Sequence, residues 1–369
     1  MRFLLATVLV LHGTIHLLGF LKGFGLADAP QLSQPISRPT ALLWLAATVL
    51  SLASASVLFS WPRSWWLTCA AVVVVSQLAI LTSWSDAKFG TLVNCMLLVA
   101  VIQGFFSHGP RSFEAEFRRD VEPRLARETD APPITNRDLA TLPELIRRYL
   151  QKTGALGAPR VHNYQLRFRG RIRSDRASAW MPFEAVQQSF VEAPTRLFLM
   201  SATMKGLPVQ AFHRLVDGSA TMRVRVAGVL PLVDASGPVM DRSETVTMFN
   251  DMCLLAPGSL LHPSITWEAI DARSVRARFT SRGNTITATL VFDDEGLLRN
   301  FHSDDRSRSI GNGSAFVPQG FSTPVSEYRD YGRFRLPARA EARWHPPEGE
   351  FAYGEFELLE VTYNAKQFL

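Results

Sequence analysis

Twenty consecutive positions, Trp65 to Trp84 (WWLTCAAVVVVSQLAILTSW), carry no charged side chain. A helix of that length rises roughly 30 Å, the thickness of a bilayer's hydrocarbon core. Trp65, Trp66 and Trp84 stand where an interfacial aromatic belt sits. The stretch therefore reads as a membrane span, and three others resemble it: about 3 to 21, 41 to 60 and 89 to 107. The first could be taken for a secretory signal after Arg2. Its apolar run is too long for that, no small-x-small cleavage site closes it, and further spans follow.

Averages hide this organisation: mean hydropathy is +0.06 and the formal net charge +6. Of 39 basic and 33 acidic residues, only Arg2, Lys22, Arg38, Arg63, Lys88, Asp28 and Asp86 precede Ser107. The expected division is a four-helix transmembrane block over 1–107, a charged connector over 108–136 and a β domain over 137–369. The later charges are nearly balanced and form no basic cluster interleaved with aromatics, so no nucleic-acid partner is expected. Cys69 and Cys95 fall in apolar spans and Cys253 is alone, which gives no disulfide framework. Flanking charges do not orient the block. Arg2, Arg63, Arg111, Arg118, Arg119, Arg124 and Arg127 oppose Lys22, Arg38 and Lys88, but most of the first set lead into a long domain, where the positive-inside rule weakens.

Beyond the connector, Thr141 and Glu144 have capping-box spacing. Leu142, Leu145, Ile146, Tyr149 and Leu150 form one apolar face before Gly154. The period then changes to two. Arg167, Arg169, Arg171 and Arg173 alternate with Leu166, Phe168 and Ile172. Val275, Ala277 and Phe279 alternate with arginines, and across Gly283-Asn284 Ile286, Ala288, Leu290 and Phe292 alternate with threonines. These are hairpin strands. Further strands are expected near 184–192, 196–204, 208–215, 220–227, 264–271, 297–304, 333–344 and 353–363. One helix is expected from about Asp241 to Leu255, with Asp241 and Glu244 at cap spacing. The fold class is thus an α-helical membrane block followed by a mainly β (α+β) domain, a strongly curved antiparallel sheet with a covering helix.

Tyr331-Gly332, Leu336-Pro337, Trp344, Gly349, Tyr353 and Tyr363-Asn364 have the spacing of a family ending. With LPELIRRYLQKTGA, WMPFEAVQQSF, PGSLLHPSITWEAID and the upstream HGTIHLLGF and WSDAKFGT, this pattern resembles the multi-span members of the bacterial domain-of-unknown-function family 6544. The resemblance implies a multi-pass protein of the bacterial inner (plasma) membrane, with either side open to the β domain, and implies no chemistry. The final strands also resemble the curved sheets of outer-membrane lipoprotein carriers. That likeness implies acyl chains bound under a lid helix and an extracytoplasmic domain.

Candidate chemistry is sparse. The inner face is rich in small or flexible residues, and Phe168, Met204, Met222, Phe249, Met252, Phe279 and Ala288 are the candidate ligand-binding set, facing membrane lipid or an apolar small molecule. His12 and His16, four apart on one face of the first span, have the spacing of metal or haem ligands. The competing reading is hydrogen bonding to Thr14, Gln77, Asn94 or Gln103 between spans. Asp86 and Lys88 could pair at the mouth of the bundle or form a solvated turn. The arginine ladder could meet anionic headgroups or be an ordinary exposed strand face. His213, His262, His302 and His345 have no partner spacing. Ser259 lacks a nucleophile-elbow context, and Asp293-Asp294-Glu295 reads as a turn. No catalytic residue and no cofactor is expected. Three functions stay open: a membrane-anchored binder of lipid or another apolar ligand, a redox or metal protein using His12 and His16, and a non-catalytic envelope interaction module.

Overall fold

The computed structural model describes residues 2–126 and 131–368. Arg127, counted above among the flanking charges, lies outside the described residues. Two compact units result: Met1–Glu116 with Ala227–Val229, and Phe117–Val226 with Leu230–Leu369.

In the first unit the apolar stretches are helices: α1 (Arg2–Gly23), α2 (Arg38–Ser60), α3 (Trp65–Thr82), the short α4 (Trp84–Ala87) and α5 (Gly90–His108). Four of them are long and apolar enough to cross a membrane. Small residues set how closely they approach. A Cβ on Gly19 would lie 2.2 Å from the Trp44 ring, so α1 meets α2 there only because the side chain is a hydrogen. Asp86 does not pair with Lys88. Its carboxylate accepts from the Ser33 N–H at 2.7 Å, the Ser33 hydroxyl at 2.8 Å and the Gln34 N–H at 3.2 Å, which ties down the α1–α2 loop.

The stretch read as a connector contains a helix, α6 (Phe113–Leu125). Its Phe117 packs on Phe212 and Phe368, and its Asp120 takes a bidentate bond from Arg214 at 2.6 and 3.1 Å. Two short helices follow, α7 (Asn136–Leu139) and α8 (Glu144–Lys152). The capping box expected at Thr141 and Glu144 is not there. Pro143 precedes α8 without a side-chain cap, and the reciprocal pair is Thr135 with Asp138 at the start of α7.

The sheet has thirteen antiparallel strands. In chain order the first six are β1 (Asn163–Ile172), β2 (Met181–Phe190), β3 (Thr195–Met204), β4 (Leu207–Val216), β5 (Ser219–Val226) and β6 (Leu230–Ser236). After helix α9 (Pro238–Leu255) and a 3-10 turn at Pro257–Leu261 come β7 (Ile265–Ala269), β8 (Ser274–Ser281), β9 (Asn284–Phe292) and β10 (Leu298–Ser303). A separate small hairpin, β11 (Ser307–Ile310) and β12 (Ala315–Pro318), precedes β13 (Gly320–Tyr331), β14 (Phe334–His345) and β15 (Phe351–Tyr363). Spatial order is β6-β5-β4-β3-β2-β1-β15-β14-β13-β10-β9-β8-β7, two meanders fused where β1 pairs with β15.

That order makes β6 and β7 the two edges, and α9 is the connection between them. Laid flat, thirteen strands at about 4.8 Å spacing would hold the edges nearly 60 Å apart. An 18-residue helix spans only about 27 Å. The chain closes because the sheet is strongly curved, with register shifts at Arg167/Phe168, Val224/Arg225 and Ala342/Arg343 where strands bend.

Hairpins turn where left-handed residues allow it. Asp217-Gly218 has φ of 51° and 82°, and Arg282-Gly283 has 48° and 87°. The second turn is one position earlier than Gly283-Asn284, yet Ile286, Ala288, Leu290 and Phe292 are all inward as expected. Helix α9 begins at Pro238 after Gly237, not at an Asp241 cap; Asp241 instead accepts the Ala220 N–H at 2.6 Å. Every residue from Ser243 to Leu255 is buried, so the covering helix α9 is itself part of the core.

Candidate functional site: a cavity beside the buried helix

Helix α9 divides the interior into two unlike halves. Toward β8, β9 and β10 the packing is solid: Phe249 stacks on Phe279 at 5.2 Å and meets Phe301 at 5.9 Å, while Ala277 pairs with Ala288 across the strands. Toward β1 to β5 and the inner face of β14 and β15, a cavity of about 760 Å³ remains. Its walls are largely apolar, with Phe168, Phe198, Met200, Met222, Val224 and Phe356 among them.

The deep end carries the charges. Arg196 of β3 donates to Asp251 at 2.6 Å, to Glu244 at 3.2 Å and to the Gln187 carbonyl at 3.3 Å. Gln187 returns a bond to Asp251 at 2.8 Å, and His213 Nδ1 lies 3.1 Å from Glu244 Oε1. Glu244 and Asp251 are seven apart, so two turns of α9 put both carboxylates on one face. Burial alone would push the Glu244 carboxyl up. The charge and hydrogen bond of His213, then Arg196 and Arg306, outweigh it and hold it down at about 2. The same carboxylates keep Arg196 protonated despite its burial.

The cavity opens where its lining becomes exposed, at Ser174, Ala179, Lys205 and Gly311. Near this mouth Arg306 lies over the rings of Phe321 at 4.2 Å and Trp344 at 5.0 Å, and its Nη1 donates to the Tyr353 hydroxyl at 2.7 Å. Trp344 and Tyr353 stack on each other at 5.2 Å.

Several expectations find their places. Of the seven candidate ligand residues, Phe168, Met204 and Met222 line the cavity. Phe249, Met252, Phe279 and Ala288 belong to the solid core and are 2% exposed or less. Arg167, Arg169 and Arg171 face outward, where Glu360, Glu357 and Glu355 of β15 oppose them as ion pairs at 3.6, 2.9 and 2.7 Å. Arg173 instead donates to the Ala352 carbonyl. His12 and His16 each turn Nε2 to the Ser76 hydroxyl, at 2.9 and 2.7 Å, and His12 also reaches Asn94 at 3.1 Å. Of the partners expected for them only Asn94 is used, because Ser76 sits on the facing turn of α3. Among the described residues no group of three His, Cys, Asp or Glu side chains is placed to hold a metal ion.

The motif residues at the end of the chain have structural work. Tyr149 and Tyr363 donate their hydroxyls to the Cys253 and Leu255 carbonyls in the last turn of α9, where a helix runs out of intrahelical donors. Asn364 accepts the His162 N–H and donates to the Arg160 carbonyl, both at 2.8 Å, locking the β1–β15 seam. A family's sequence pattern matches positions 132–356, more than half of the chain. The chain belongs to the family of unknown function DUF6544. The sheet of this DUF6544 member is also similar to three solved structures. One is a domain assigned as an outer membrane lipoprotein-sorting protein from Vibrio parahaemolyticus, at 11% identity and TM-score 0.31, covering 55% of this chain and 85% of that one. A LolA superfamily protein from Nitrosomonas europaea gives 9% and 0.34 over 61% and 93%. A DUF1329 family protein from Desulfovibrio piger gives 11% and 0.35 over 64% and 95%. At these scores nothing about binding follows for the DUF6544 chain. No curated protein matches it.

Proposed function

We propose that this chain is an inner-membrane-anchored carrier or sensor of an apolar ligand, with an acyl chain held in the cavity between α9 and β1 to β5. One observation carries the reading: a cavity of about 760 Å³ with apolar walls persists in an interior whose other half is packed solid. Apolar walls of that extent, reached by solvent through the mouth, gain when an acyl chain replaces water against them. Filling it with an eight-carbon stretch gains roughly 6 kcal/mol, at about 0.8 kcal/mol per CH₂, before ordering costs. Phe168, Met204 and Met222 would contact the chain, with Phe198 and Met200 beside them. Four helices long and apolar enough to span would keep the β unit next to a lipid pool.

The test is lipid extraction and native mass spectrometry of the full chain purified in detergent, beside the Met222→Trp variant. Stoichiometric lipid on the parent protein and none on the variant is expected, with the variant still unfolding cooperatively and within about 1 kcal/mol of the delipidated parent. No retained lipid on the parent, together with no displacement of a fluorescent fatty-acid probe, would sink the reading and leave a non-catalytic interaction module.

A further inference from the structure

We infer that the ligand of this cavity is anionic, an apolar chain ending in a carboxylate or phosphate that Arg306 holds at the mouth. The inference rests on the reading of the cavity as an acyl-chain site and adds the chemistry of the head.

On the outer face, arginines are matched by carboxylates: Arg169 and Arg171 by Glu357 and Glu355, Arg339 by Glu327. Four basic residues line the mouth: Arg173, Lys205, Arg306 and Arg308. The two acidic residues of the lining are Glu244 and Asp251; both are paired with Arg196, and Glu244 also feels the charges of His213 and Arg306 without forming an ion pair with Arg306. Among the described residues none of the four mouth cations forms an ion pair. The neighbouring carboxylates are committed elsewhere. Asp305 bonds Arg242 at 2.5 Å and the Thr287 N–H at 2.6 Å, and Asp304 faces His302 at 3.1 Å.

Arg306 is also built as a receptor. A free arginine on a surface samples many rotamers, and holding it in place has an entropy cost before any partner arrives. Here Phe321, Trp344 and the Tyr353 hydroxyl fix the guanidinium plane in advance. Only Nη1 is used by Tyr353, which leaves N–H groups in the fork geometry that matches carboxylate or phosphate oxygens. Beside apolar walls such a cation is poorly screened, so an anion gains more from it than in water. A neutral head would add no counter-charge to these four cations, none of which has an ion-pair partner among the described residues.

The experiment uses the full chain in dodecyl maltoside and three photoreactive probes of equal chain length: diazirine palmitate, its methyl ester, and the matching lysophosphatidate. Adducts are mapped by peptide mass spectrometry, which separates the cavity from the apolar helices. Palmitate or lysophosphatidate should label peptides containing Met200 and Met222 roughly tenfold more than the ester, the scale of one charge-assisted bond. Arg306→Gln should bring the anionic probes down to the ester's level, and Arg306→Lys should restore part of the difference. Equal cavity labelling by all three probes, or no effect of Arg306→Gln, overturns the anionic head while the acyl-chain site stands. Absence of cavity labelling by every probe overturns both.

Discussion

The two sides of α9 are made by the same helix and the same kind of strand, yet one is solid and the other hollow. On the solid side Phe249, Phe279 and Phe301 interlock and small alanines pair across β8 and β9, so shape is satisfied without polar groups. On the hollow side the helix presents Glu244 and Asp251, which meet Arg196, Gln187 and His213 of the strands. Charged groups need partners at hydrogen-bond distance and in fixed directions, and apolar rings do not. Putting carboxylates on one face of a buried helix is therefore a way to prop a sheet open.

This comparison can be broken from either side. The largest loss is expected on the hollow side. Arg196→Met removes the cation between Glu244 and Asp251 and should destabilise the β unit by about 3–5 kcal/mol in denaturant titration. A change under about 1 kcal/mol would mean that the propping charges are dispensable. On the solid side, Phe249→Ala should cost a similar 3–5 kcal/mol through a new void, but leave bound lipid unchanged. Adding bulk separates the halves most directly. Ala288→Trp has no room and should cost about 3 kcal/mol or more, whereas Met222→Trp enters existing space and should cost about 1 kcal/mol or less. If thermal unfolding ranks them the other way, the halves are misassigned.

Acid should act through the hollow side. The Glu244 carboxyl is held at about 2, below its ordinary 4.5. Its contribution to stability is complete above pH 4.5, and is lost as the pH falls from there through about 2. Glu244→Gln should flatten that part of the stability profile, while Phe249→Ala should shift the profile without changing its slope. The smallest effect belongs to the outer ladder. Arg171→Gln removes a solvent-exposed pair with Glu355 and should cost between 0 and about 1 kcal/mol, less at high salt.

Periodicity made most of this architecture legible. The four apolar helices, the strands rich in alternation and the helix ending at Leu255 follow from spacing and turn residues alone. Strands β6 and β13 were not legible, since Pro231 and Pro324 interrupt them and the second half of β13, SEYRDY, lacks an apolar alternation. The polar cluster was not legible. Spacing marks Glu244 only as a cap partner of Asp241, and Asp251 does not stand out among the other polar residues of the helix. Nothing local links them to Arg196 and His213, because strand partners 31 to 55 residues away are a product of topology. Arg306 was hidden for the same reason, its aromatic neighbours lying on β13, β14 and β15.

The seam between β1 and β15 also orders events in time. The first and last strands of the sheet are neighbours, so the curved wall cannot be completed until β15, at Phe351–Tyr363, has left the ribosome. Until then α9 links two unfastened edges, and its Leu255 carbonyl waits for the Tyr363 hydroxyl. Contacts this distant in sequence form late and slowly. The apolar helices, whose contacts are local, can assemble much earlier, so each new molecule passes through an interval in which its helical unit is formed while two meanders are still open. During that interval the exposed edge strands are targets for chaperones and for mispairing with other chains.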